Sequence, residues 1–217
     1  MAVFSTLGME FDMLAGGATG TPIVATAATL AKPCEITVAD TTGLVEGALV
    51  WLPTKATGLS EVDGKWWIAT NIDATSFELL GSDTSGSTDV FLAGPAIEFY
   101  VNADLVRLCP ATVTINAGDV TTIEAGTFCD PSQQIAGSVT AGTVDYTGFT
   151  DTADEGYVEL TEADEDGLAR RIRVKSAAGG YYLAGGVITN LIPSWEINAA
   201  EGWAFTHTLE TKIRHLF

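Results

Sequence analysis

The chain has 217 residues, 47% of them hydrophobic, which is enough to bury a core in one domain or in two small ones. Its 28 acidic residues against 10 basic ones leave a net charge of -18, which argues against a surface that embraces nucleic-acid phosphate, because affinity for DNA comes mainly from Lys and Arg displacing condensed counterions. The same charge is compatible with a surface that DNA must pass without sticking, and with an acidic protein kept dispersed by self-repulsion.

The 23 glycines, many threonines and alternating apolar residues predict a mainly β protein with a single helix. Met9, Phe11 and Met13 alternate with Glu10, Asp12 and Leu14, a first strand closed by Gly16-Gly17. From 21 to 95 the chain reads as a string of short strands at 35–38, 48–52, 65–70 and 76–80. Turn signals at Thr42-Gly43, Asp63-Gly64, 71–74 and 82–87 separate them, so this stretch is expected to form a small β module of its own.

After Pro95 the spacing predicts strands at 106–115 and 120–123, then a long polar loop over 126–138 that contains Asp130-Pro131. From Val139 onward Val144 and Tyr146 share one face and Thr143, Asp145 and Thr147 the other, the period-two pattern of a half-buried strand. Thr152 is placed to cap a helix with Asp154 and Glu155 in its first turn, where the helix dipole favours acids. Tyr157, Leu160 and Ala163 give that helix a narrow apolar stripe, and Glu159, Glu162, Asp164, Glu165 and Asp166 are expected on its solvated side. Gly167 supplies the left-handed stop.

A basic-edged strand follows at 172–175, then a hairpin-like turn at 178–180 and a strand over 181–189, with Tyr181, Leu183 and Val187 in one phase. In the last strand Trp203, Phe205, His207, Leu209, Thr211 and Ile213 alternate with Ala204, Thr206, Thr208, Glu210, Lys212 and Arg214. His207 shares the phase of Trp203 and Leu209 and reads as a core histidine.

Motifs that would carry catalysis or bind a metal or cofactor are missing. Glu162, Asp164, Asp166 and Gly167 have the opening spacing of a calcium loop, but Arg173 stands at the twelfth position, where a bidentate Glu is required. His207 and His215 are the two histidines, and without clustered cysteines they do not make an ordinary zinc site. Gly179-Gly180 and Gly185-Gly186 do not precede a helix and so make no phosphate loop. Cys34, Cys109 and Cys129, odd in number and without CxxC spacing, read as reduced, buried thiols and not as a disulfide framework. The start of the chain lacks the basic and apolar regions of a signal peptide, and no apolar run approaches the roughly 18 residues that span a bilayer, so synthesis in the cytosol and no membrane association are expected.

The wording of the 21–95 stretch is similar to the FCCH-like module, named from ubiquitin-activating enzymes and recurrent in phage structural proteins. The match is carried by Ile36-Thr37-Val38, Gly43-Leu44, Gly47, Val50, Asp63-Gly64-Lys65-Trp66-Trp67, Ser76-Phe77-Glu78-Leu79 and Asp83-Thr84-Ser85-Gly86. It departs at Ala48, where that module carries an acid after the glycine.

The remaining order resembles the tail tube proteins of long-tailed phages: a strand ending in Asp145-Tyr146, a helix, Arg173-Val174-Lys175, Gly180-Tyr181-Tyr182-Leu183-Ala184-Gly185-Gly186-Val187-Ile188-Thr189, a turn bearing Ser194 and a long last strand. That resemblance implies a β-sandwich or barrel-type tube domain over 1–20 and 96–217 with the 21–95 module inserted. It also implies homo-oligomeric rings, hexameric by analogy, stacked in a virion tail as a DNA conduit, with tape measure and tail terminator proteins as partners. Strand phase then selects Asp145, Glu196 and Glu210 as lumen-lining residues, with Lys212 and Arg214 on the same polar face as Glu210. The loop residues Asp130, Pro131, Ser132, Gln133, Gln134 and Ile135 are the candidates for contact with the next ring. The alternative is a carbohydrate-binding or adhesive β module in which Trp51, Trp66 and Trp67 stack on sugars; an acidic hydrolase is a third and weaker reading, because abundant carboxylates are not by themselves a catalytic pair.

Overall fold

The computed structural model describes residues 2–4, 9–116, 120–124, 134–139, 142–149, 153–177, 179–194, 202–210 and 213–216, and every structural statement below concerns these residues. The protein is mainly β, as its alternation predicts. In chain order the strands are β1 (Ala2–Phe4), β2 (Glu10–Leu14), β3 (Thr21–Ile23), β4 (Ala25–Ala28), β5 (Cys34–Val38), β6 (Leu49–Leu52), β7 (Lys65–Thr70), β8 (Ser76–Leu79) and β9 (Ile97–Tyr100). They continue as β10 (Leu105–Leu108), β11 (Pro110–Asn116), β12 (Val120–Glu124), β13 (Gln134–Val139) and β14 (Thr143–Phe149). After α1 (Glu155–Asp166) come β15 (Ala169–Lys175), β16 (Tyr181–Ser194), β17 (Gly202–Leu209) and β18 (Arg214–Leu216). The chain divides into two compact units, one of 1–8, 108–171 and 184–213, the other of 9–107, 172–183 and 214–217.

In the second unit a sheet of seven strands runs β3-β9-β6-β7-β8-β5-β4. β3 and β4 are separated by Val24 alone, so the strand that opens the path also closes it, and the sheet becomes a barrel. Ile36, Leu49, Leu52, Leu59, Ile68, Phe77, Leu79 and Ile97 are fully buried inside it. The strands expected at 35–38, 48–52, 65–70 and 76–80 stand within a residue of those bounds, and the sheet also takes in β9, beyond residue 95. The Asp63-Gly64 turn is held by its own carboxylate, which accepts bonds from the Thr57 and Gly58 amides at 3.0 and 2.9 Å. Cys34 is buried, as expected, its Sγ donating to the Thr29 carbonyl at 3.2 Å, and burial pushes its thiol pKa up; Cys109, expected to be buried too, is exposed at the break between β10 and β11, and Cys129 lies outside the described residues.

The same unit holds β2 paired antiparallel to β15, with Arg173 opposite Asp12. Asp12 alternates with the buried Phe11 and Met13 but is itself only 4% exposed, because Arg173, also buried, donates to its Oδ2 from Nη2 at 2.7 Å and from Nε at 3.2 Å. Arg107 supplies the second charge, its Nε 2.8 Å from Asp12 Oδ1. The rest of the Arg173 guanidinium is used as well: Nη1 donates to the Gly47 carbonyl and Nη2 reaches Asn102 Oδ1 at 3.2 Å.

The first unit carries a sheet in the order β1-β11-β14-β17-β16, with α1 packed beside Trp203 on one face. Val144 and Tyr146 face the buried side, where Tyr146 stacks on Phe205 with centroids 4.6 Å apart. A Cβ at Gly148 would fall inside the Trp203 ring, so glycine is what lets that indole lie flat on β14. Asp154, and not Thr152, caps α1: its carboxylate accepts the Tyr157 amide at 3.1 Å, and Thr152 lies outside the described residues. Gly167 ends the helix at φ 64°, as expected.

Other bounds move. β13 occupies the second half of the predicted 126–138 loop and pairs with β12, so Gln134 and Ile135 are strand residues. β16 runs on to Ser194 through a bulge at Asn190, which adopts φ 57°, where a turn was expected. β17 stops at Leu209, and Arg214 begins β18, which pairs with the first residues of β16. Glu159 is the largest correction: it is 8% exposed and bonds Arg170 Nε at 3.0 Å, because Arg170 is buried beside the helix and needs a counter-charge.

Breaking a buried ion pair from one side leaves a charge without compensation, which costs about 3–5 kcal/mol, while replacing both partners with apolar residues costs far less. Arg173→Met is therefore expected to destabilise the protein by about that amount in urea unfolding, and Asp12→Leu combined with Arg173→Met to recover most of it.

Candidate functional site

The open face of the first unit's sheet is built by phase. Residues that alternate with Val144, Tyr146, Phe205 and His207 point away from α1, and across the register they form rows: Thr114, Asp145, Thr206 and Thr189; Thr112, Thr147 and Ala204; Asn116, Thr143, Thr208 and Val187. The β-branched residues suit the pleat, and their hydroxyls pair across strands, as Thr112 and Thr147 do at 2.6 Å. The face is therefore a floor of threonines with few charges on it.

Asp145 sits within this floor, half-buried. It accepts Thr206 Oγ1 on Oδ1 at 2.8 Å and Asn116 Nδ2 on Oδ2 at 2.7 Å, so both oxygens are engaged while the charge stays at the surface. Glu210, just past β17, is exposed and pairs with Arg171 Nη1 at 2.8 Å. Arg171 is thus the cation that meets Glu210. Lys212 lies outside the described residues, and Arg214 is committed elsewhere, its guanidinium 3.8 Å over the Trp67 ring and Nη1 donating to the Trp66 carbonyl. Glu196, Asp130, Pro131, Ser132 and Gln133 also lie outside the described residues.

In the second unit a polar cavity of about 230 Å³ is lined by Glu10, Asp12, Glu46, Arg107, Arg173 and Lys175 among others. Acids and bases balance in it, and Glu10 stands 3.5 Å from Arg107 and 3.9 Å from Lys175. Among the described residues no group of three His, Cys, Asp or Glu is arranged to hold a metal ion.

The three tryptophans expected to stack on sugars are not alike. Trp67 is buried, with Nε1 donating to the Val62 carbonyl at 2.9 Å. Trp51 and Trp66 face each other across β6 and β7 at 5.3 Å, half-buried, and Trp66 leans on Tyr100 at 5.4 Å. Sequence reasoning found the phase of Asp145 but missed its two neutral donors and the Arg171 partner of Glu210, which depend on strand register and not on spacing along the chain.

Comparison with models of known protein families gives no match, and comparison with curated proteins gives none either.

The two acids are expected to separate in equilibrium unfolding. Asp145→Ala strands two donors and removes bonds to a charged acceptor, a loss of about 1–3 kcal/mol. Glu210→Ala removes an exposed ion pair and is expected to cost under about 1 kcal/mol, less at high salt.

Proposed function

We propose that this is a structural, non-enzymatic virion protein whose copies form rings, six-fold by analogy, stacked into a phage tail tube that conducts DNA. The observation that carries the reading is the two-sided sheet of the first unit: one face is buried, with α1 packed beside Trp203, and the other is an open floor of threonines with Asp145 set in it. Such a floor suits a channel lining. Hydroxyls offer DNA hydrogen bonds no better than those of water, and a protein with a net charge of -18 has no cationic excess to bind phosphate. The order of strands and helix along the chain, with the Tyr182-Leu183-Ala184-Gly185-Gly186 strand, supports the same reading through its resemblance to tail tube proteins.

In this proposal Asp145, Glu196 and Glu210 face the lumen, and the exposed acids of α1, Glu155, Glu162, Asp164 and Glu165, lie outside. The 21–95 stretch is an inserted FCCH-like module, and residues 130–133 reach the next ring, with tape measure and tail terminator proteins as further partners. The protein would be made and assembled in the host bacterial cytoplasm. The sugar-binding alternative retains Trp51 and Trp66 but loses Trp67 to the barrel core.

Negative-stain microscopy of the purified protein is expected to show rings or tubes; a persistent monomer that is retained by glycans would favour the alternative. Replacing 130–133 by a short Gly/Ser link, which leaves β13 intact, is expected to give rings that do not stack. Lysine at Asp145, Glu196 and Glu210 swings each subunit by about six charges and is expected to slow DNA ejection at low salt while tubes still form.

A further inference from the structure

His207 lies in the middle of β17, between Val144 on β14 and Ile188 on β16, with no exposed surface. Among the described residues neither ring nitrogen has a hydrogen-bond partner. The ring shares its face of β17 with Trp203, which lines a small cavity together with Asp154, Gly156, Tyr157 and Leu160 of the α1 region. It is therefore a titratable group sealed on the face of the sheet against which α1 packs at Trp203. We propose that His207 is an acid-sensitive latch: the neutral ring lets α1 close over the sheet, and uptake of a proton releases the helix.

The charges around the ring do not offer a proton a home. From β15, Arg171 opposes a second positive charge, while the Arg170 guanidinium is spent on Glu159 at 3.0 Å and Asp166 at 2.7 Å from α1. Glu210 favours the protonated ring but is itself paired with Arg171. The Gly186 and Arg170 carbonyls also favour it, without reaching hydrogen-bond geometry. Tyr146, the other titratable neighbour on β14, is buried, and burial raises its pKa, so it stays neutral. Burial outweighs the favourable groups and pulls the His207 pKa down to about 4.

The sign follows from proton counting. Once the helix is open, the ring returns to its ordinary value near 6.5, so the open state binds more protons between about pH 6.5 and pH 4. Stability of the closed state is complete above that window and is lost as the pH falls through it. Against pH 7.5, the opening equilibrium at pH 4.5 rises on the order of fifty- to a hundredfold.

Hydrogen exchange of the α1 amides in the full-length protein, corrected for intrinsic rates, tests the latch. Protection in the wild type is expected to fall by that factor between pH 7.5 and pH 4.5, and to stay level in His207→Leu. His207→Gln, neutral at every pH and near in shape, is expected to stay level too and serves if the leucine variant does not fold. A fall of equal size in these variants overturns the proposal, as does a wild type that stays protected at pH 4.5. A fall abolished by Glu159→Gln but kept in the His207 variants assigns the response to the Arg170 pair and also overturns it.

Discussion

One guanidinium fixes how β2 and β15 meet the turns of the second unit. Arg173 joins β15 to Asp12, 161 residues earlier on β2, to the Gly47 carbonyl on a turn of the barrel and to Asn102. Burying an isolated charge costs several kcal/mol, so the arrangement is tolerable only when nearly every donor is used. That condition is met on both sides, since Asp12 accepts from Arg107 as well as from Arg173. Apolar packing is non-directional and would hold these strands in several registers, whereas a fork of donors with fixed geometry accepts one. The pair therefore specifies the register of β2 on β15 and does more for definition than for net stability.

The first unit solves a different problem by different means. Its sheet must be sealed on one side and wet on the other, and period-two alternation does this without any special residue. Aromatic stacking of Trp203, Phe205 and Tyr146 supplies the sealed side. Threonine supplies the wet side, where a β-branched carbon favours the strand and a hydroxyl satisfies its neighbour. Charge is kept mostly off this face and collects on α1, where Glu155, Glu162, Asp164 and Glu165 are exposed.

Alternation made the strands and their inward residues legible, from Ile36 and Val38 in the barrel to Val144 and Phe205 in the sheet. It also placed His207 in the core and Asp145 on the open face. What it could not show is any choice that depends on a partner distant in the chain. Asp12 alternates with Phe11 and Met13, and nothing in that pattern shows that it is buried with them because Arg173 is buried too. Glu159 was misplaced for the same reason, since a helical wheel counts carboxylates and does not know that Arg170 needs one. Strand ends at 134, 194 and 209 moved because pairing and a bulge at Asn190 decide them, and neither is local.

The barrel seam has a consequence for the order of events during synthesis. Its first strand, β3 continuing into β4, takes its neighbours from β9 on one side and β5 on the other. β4, β5 and β8 can meet as soon as residue 79 has left the ribosome, but the ring of hydrogen bonds cannot close before β9, which ends at residue 100, has followed it. Translation at about 5–20 residues per second then holds an open, half-made barrel for a second or more, with the edges of β3 and β6 bare until β9 slots between them. Pro22 at the centre of β3 withholds a donor from that waiting edge, which makes it a poor template for pairing with a neighbouring chain in the meantime.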